Sequence, residues 1–199
     1  MLILIALAAF AVGIGLVIFF WPDHGRRWGR FEGRVVTDWH QDGRNMTLLE
    51  DFAYIDPLDK RWLAPKGSHI NGASIPIPFW SIIGGPFEGK YRNASVVHDV
   101  ACDERTEPWA DVHLAFYHAC RCGGVEERKA KLMYYAVYHF GPRWQVGVKG
   151  YRPSAGAGES FPGSPSPVDT ITPEDVQKAL AFFDANNPSI EEISSLKIR

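Results

Sequence analysis

The 199-residue chain holds only three cysteines, Cys102, Cys120 and Cys122. So small and odd a number argues against the disulfide framework of a small secreted scaffold. One residue separates Cys120 from Cys122, too short a gap for a CxxC metal or redox pair. The three read as buried helix thiols, and their number fits a reducing compartment. The chain also lacks a charge excess. Its formal net charge is −2, no basic stripe stands out, and a nucleic-acid partner is not expected. There is no internal repeat, which argues against a solenoid or a propeller. Charge is missing altogether from Leu2 to Trp21, a run of about twenty residues, long enough to cross a bilayer core.

That run lacks the preceding basic residue of a secretory signal and is longer than a usual signal core. Arg26, Arg27, Arg30 and Arg34 follow it. By the positive-inside rule they stay on the cytoplasmic side. The expectation is an uncleaved single-pass anchor over 1–22, N-out and C-in, in a host or virion membrane, with membrane lipid as a partner. A cleaved signal peptide is the alternative.

Beyond the anchor, Phe31 to Asp38 and Met46 to Tyr54 read as two strands joined by turn chemistry at Gln41-Asp42-Gly43-Arg44-Asn45. Asp56-Pro57-Leu58-Asp59 is a second turn, and Arg61 to Ala64 a third strand. From Gly67 to Gly89 the chain is rich in Gly, Pro and Ser but interleaved with Ile75, Phe79, Trp80 and Ile83. Such a loop must pack, and its backbone amides need partners or a ligand. Three helices follow, over about Arg92–Asp103, from near Glu107 to before Gly123, and over about Val125–Phe140. Residues 150–170 read as a Pro/Gly/Ser linker. Thr172 then caps a last helix, whose Val176, Leu180 and Phe183 form an apolar stripe. Within 171–199 this amphipathic helix either docks a protein partner or folds back. The expected fold is α+β over 30–145: a small antiparallel sheet packed on a three-helix core, preceded by one transmembrane helix.

The chemically capable residues concentrate between Asn71 and Asp111. His98 and Asp99 are adjacent on the first helix and point about 100° apart. If the first two helices pack antiparallel, the short connection brings Asp111 near His98. A carboxylate on one imidazole nitrogen fixes the tautomer, and the other nitrogen can then take a proton from water. Asp99 could bind a hard cation, with backbone carbonyls of the loop near Asn71 to Ser74. The competing reading is a buried His–Asp bond that ties two helices together. A zinc site from His98, Asp111 and His118 lacks a recognised spacing. His113 and His118 read as surface or core residues, and Tyr134 and Tyr135 as core or rim aromatics.

Gly72-Ala73-Ser74-Ile75-Pro76, Trp80, Gly89-Lys90-Tyr91, Ala94 to Asp99 and Ala110-Asp111 resemble an uncharacterised family of small bacterial and phage proteins. The resemblance covers about Asp51 to Trp144. The stretch also resembles, more distantly, phospholipases A2 of the bacterial and fungal type. That second resemblance implies His98 as the general base, Asp111 as its orienting carboxylate, and calcium on Asp99 and the loop residues Asn71, Gly72 and Ala73. Two functions are therefore expected: a membrane-anchored phospholipase A2-like ester hydrolase, or a non-enzymatic structural or accessory protein of a phage particle or prophage.

Overall fold

The computed structural model describes residues 27–42, 45–72, 75–85, 87–146 and 171–196. The chain is α+β, as expected, but the single small sheet is in fact two. Sheet one has the order β1-β4-β5, from Arg30–Glu32, Phe52–Ile55 and Arg61–Ala64. Sheet two has the order β2-β3-β6, from Thr37–Trp39, Met46–Leu48 and His69–Ile70. All pairings are antiparallel.

The two sheets share one bent hairpin. Thr37 pairs with Leu48, and further along the same ribbon Glu32 pairs with Ala53. Each expected long strand therefore breaks once, between β1 and β2 and between β3 and β4. Gly33 sits at the bend with φ +83°, and a Cβ there would stand 2.9 Å from the Asp51 carbonyl oxygen. Only glycine allows both the positive φ and that approach.

Inside the expected apolar loop lies a short helix, α1, over Ile77–Ile83. A proline in its first turn pre-sets the backbone, Phe79 and Ile83 bury one face, and Gly84 ends it at φ +96°. A 3-10 turn at Gly89–Tyr91 leads into α2, Arg92–Glu104. Then come α3, Trp109–Cys122, and α4, Glu127–Phe140. These three are the expected helical core. α2 is its hub, packing on α3, on β4 and β5 of sheet one and on β6 of sheet two. That position explains why Ala94 through Val100 are buried without interruption, a Ser, a His and an Asp among them.

The C-terminal helices α5, Pro173–Asn186, and α6, Ile190–Ser195, each start with a capping box, Thr172 with Asp175 and Ser189 with Glu192. They fold back onto the same chain. Val176, Ala179, Phe183 and Ile193 are buried in the common core. Lys131 Nζ reaches Asn187 Oδ1 at 2.9 Å, Tyr134 bonds Ser194 at 2.9 Å, and His139 Nε2 donates to the Ile193 carbonyl at 2.7 Å. The stripe expected to dock a partner is thus covered by α1 and α4.

One expectation is corrected. Among the described residues no helix is long and apolar enough to cross a membrane. The described structure therefore does not support the expected transmembrane helix or the single-pass N-out/C-in assignment. The run over 1–22, the linker over 150–170 and the turn residues Gly43 and Arg44 lie outside the described residues.

Candidate functional site

His98 and Asp99 lie near the middle of α2 and face different neighbours. His98 is 2% exposed and Asp99 fully buried. The rotation of about 100° between adjacent helical positions aims His98 at α3 and Asp99 at the loop after β6.

The Asp99 carboxylate gathers that loop. Its Oδ2 accepts from the backbone N–H of Asn71 at 2.8 Å and of Gly72 at 2.7 Å. Such charge-assisted bonds are among the stronger ones in a protein. Asn71, Gly72 and Asp99 therefore do come together, though by amides and not by carbonyls. A calcium ion is held by oxygens, whereas Oδ2 here already faces two N–H dipoles whose positive ends a cation would have to displace. The arrangement is that of a carboxylate-anchored loop. Ala73, the third expected loop ligand, lies outside the described residues.

His98 does not meet Asp111. Asp111 is exposed in the first turn of α3, where a carboxylate complements the helix dipole. The partner is His113, two residues on and about 200° around the same helix. His98 Nε2 lies 2.8 Å from His113 Nδ1. His113 Nε2 lies 3.1 Å from the Pro142 carbonyl oxygen. A carbonyl only accepts, so His113 Nε2 carries a proton and donates. Burial, the larger influence, pushes the His113 pKa down to about 4, with the nearby Arg143 charge acting the same way and the Pro142 bond opposing it. The ring is therefore neutral, its Nδ1 accepts, and His98 Nε2–H donates. Burial, and then His113, also holds His98 well below the usual imidazole range. Its Nδ1 keeps the remaining lone pair, 3.8 Å from the Cys102 sulfur. His98 to His113 to Pro142 is one directed chain of donors and acceptors, with the Cys102 sulfur beside the His98 ring.

Aromatic rings seal this chain. His98 packs on Phe116 at 4.6 Å between centroids, and His113 on Trp109 and Trp144 at 5.7 and 6.1 Å. The cavity beside His98 is about 10 Å³, lined by Trp62, Ala94, Ala101, Val112 and Phe116 among others. That is room for roughly one water molecule. A cleft of about 380 Å³ opens elsewhere, between sheet two and the start of α2, with Trp39, Phe87, Glu88 and Arg92 at its walls. Val96 lines that cleft. It is two residues from His98, and so faces about 200° away around α2.

His98 Nε2 also lies 3.6 Å from the Cys102 sulfur. His98, Cys102 and His113, all buried, offer ligand atoms within 4.8 Å of one another. By sequence alone Cys102 reads as a core thiol and His113 as a surface or core residue. His113 nonetheless shares its stripe with Phe116, Tyr117 and Cys120, at spacings of three, four and seven, and all are buried. A histidine on an apolar stripe is a core histidine in need of a partner. His118 is only half-buried, beside Trp28 and Tyr117, and takes no part. Tyr134 and Tyr135 are core aromatics, while Cys120 is buried and Cys122 half-buried, and neither is in a disulfide.

Two curated relatives each match a little over half of the chain. Uncharacterized protein y4jT of Sinorhizobium fredii (strain NBRC 101917 / NGR234) is 48% identical over 102 residues, which is 51% of this chain and 30% of that protein. Uncharacterized protein y4iH of the same strain is 40% identical over 115 residues, 58% of this chain and 48% of that protein. The chain thus matches less than half the length of either. Neither name carries an activity, and the expected relation to phospholipase A2 gains no support from them. No solved structure matches the chain. The stretch from β3 into α4, residues 46–137, carries His98, Asp99, Cys102 and His113, and it matches the family described as "Protein of unknown function (DUF1353)".

Proposed function

We infer that this chain is a non-enzymatic accessory protein in which the His-Asp pair is internal framework. The observation that carries this reading is burial with both sides already engaged. His98 is bonded to His113, Asp99 is bonded to the loop amides, and the space at His98 is about 10 Å³. A general base must come within hydrogen-bond reach of the proton it takes. A lipid or ester carbonyl has no room beside this imidazole, and the cleft large enough for a ligand opens on another face of α2.

The test is a hydrolysis assay of the purified full chain on nitrophenyl esters and phospholipid vesicles, with calcium, magnesium, manganese or zinc in turn. Thermal melting of His98→Ala is measured beside it. The reading expects no turnover above background and a large loss of melting temperature in the variant. Turnover that disappears in His98→Ala while the melting temperature stays unchanged would overturn it.

A further inference from the structure

We propose that His98, Cys102 and His113 form a binding site for one thiophilic d10 metal ion, of the Zn²⁺ or Cu⁺ type. Three independent features of the geometry point there. The first is the donor set. Two imidazole nitrogens and one thiol sulfur converge from two packed helices, a set that suits soft and borderline ions and not calcium or magnesium.

The second is spacing. With zinc-ligand distances of about 2.0 Å to nitrogen and about 2.3 Å to sulfur, tetrahedral ligands stand roughly 3.3 Å apart for two nitrogens and roughly 3.5 Å for nitrogen and sulfur. His98 Nε2 and the Cys102 sulfur are already 3.6 Å apart. His98 Nε2 and His113 Nδ1, at 2.8 Å, need to part by about half an ångström, within ordinary side-chain adjustment at such distances.

The third is the support around the ligands. A metal-bound imidazole commonly donates its other N–H to a carbonyl, which fixes tautomer and ring orientation. His113 does this through Nε2–H to Pro142, leaving Nδ1 aimed at the cluster. Trp109 and Trp144 pack against the ring. His98 and Cys102 stand four residues apart on α2, on one face and one turn from each other.

Binding balances as follows. The Cys102 thiol loses its proton to solvent and its sulfur bonds the ion. His98 moves its proton from Nε2 to Nδ1, so Nε2 offers a lone pair. His113 is unchanged. One proton leaves per ion bound. The protein supplies three ligands, which suits trigonal Cu⁺, or Zn²⁺ with one water as the fourth. The proposal rests on the internal-framework reading: the ion takes the place of the His98–His113 hydrogen bond as the link between α2 and α3.

The experiment uses the full chain, reduced and stripped of metal with a chelator, then titrated separately with Co²⁺ as a spectroscopic stand-in, Zn²⁺ and Cu⁺. The expected result is one equivalent bound, a thiolate-to-cobalt charge-transfer band, one proton released, and a raised melting temperature. Cys102→Ser should abolish the band, His113→Gln should weaken binding at least tenfold, and Cys120→Ala should change neither. Circular dichroism establishes that each variant is folded. A folded chain that binds none of the three ions, or binds them equally well in Cys102→Ser and His113→Gln, would overturn the site. That failure would leave the helix link intact, whereas hydrolysis lost in His98→Ala would remove the framework reading itself.

Discussion

His98 Nε2 donates to His113 Nδ1 across 2.8 Å between α2 and α3, and both side chains are buried. The bond is one link of a chain that ends on the Pro142 carbonyl beyond α4. It therefore joins α2 and α3 to the segment that follows the helical core. Removing any member leaves another polar atom buried without its partner, which is the costly half of hydrogen bonding.

For His98→Ala the expected loss is roughly 2–5 kcal/mol, from the cavity and the orphaned His113 together. In a domain of this size that is a melting temperature roughly 5–15 °C lower. Asp111→Ala, at an exposed first-turn position, should shift melting by about 1 kcal/mol or less. Comparing the two variants by differential scanning calorimetry checks the assignment of partners. Equal losses would restore Asp111 as the partner.

Asp99→Ala removes the acceptor of two backbone amides. Each orphaned buried amide costs about 1–3 kcal/mol. Hydrogen exchange at Asn71 and Gly72 should accelerate sharply in the variant. Asp99→Asn keeps one carbonyl acceptor and should lose less. Calcium should change neither the wild-type melting temperature nor these exchange rates. Protection that rises with calcium would show that the loop binds the ion after all.

The two buried imidazoles make the metal-free fold sensitive to acid. An unfolded histidine titrates near 6.5, whereas in the fold His113 is pushed down to about 4 and His98 well below its usual range. The unfolded state therefore takes up protons first as pH falls. The stability from neutral burial is complete above about pH 6.5 and is lost as pH falls toward about 4. The slope approaches about 1.4 kcal/mol per pH unit for each ring. His118 and His139 are shifted the same way, by burial first, so a His98→Gln, His113→Gln double variant should flatten the slope without abolishing it. Urea denaturation at a series of pH values reads this directly.

The C-terminal helices α5 and α6 are part of the core. Phe183 is 3% exposed and packs edge-on against Tyr135, and Phe183→Ala should cost about 3–5 kcal/mol. Arg128→Ala breaks an ion pair with Asp184 that is half exposed on both sides and should cost under about 1 kcal/mol. Limited proteolysis of the Phe183 variant should release α5 and α6 early.

Much of the scaffold was legible in the sequence. The apolar spacing and the breakers at Pro108, Gly123 and Gly141 give α2, α3 and α4 within a residue or two. Thr172 with Asp175 marks the start of α5. The short helices α1 and α6 were not expected, and two tertiary features were not legible. The bend that splits one hairpin between two sheets depends on how closely Gly33 approaches the Asp51 carbonyl, a contact between residues far apart in sequence. The partner of His98 depends on how α3 is rotated about its axis. Asp111 and His113 are only two residues apart but face nearly opposite ways, and the packing of Phe116, Tyr117 and Cys120 turns His113 inward. Chemical habit favoured a carboxylate as the imidazole's partner, and the apolar stripe favoured the histidine.

The most direct test of the central claim is long-range proton-nitrogen NMR of the imidazole rings in the metal-free full chain at pH 7. The account predicts that His98 and His113 are both neutral, both protonated at Nε2, with a slowly exchanging His98 Nε2–H that is lost in His113→Gln. A His98 ring that titrates near pH 6.5 with fast-exchanging protons would contradict it, because such a ring would be open to water and available as a base.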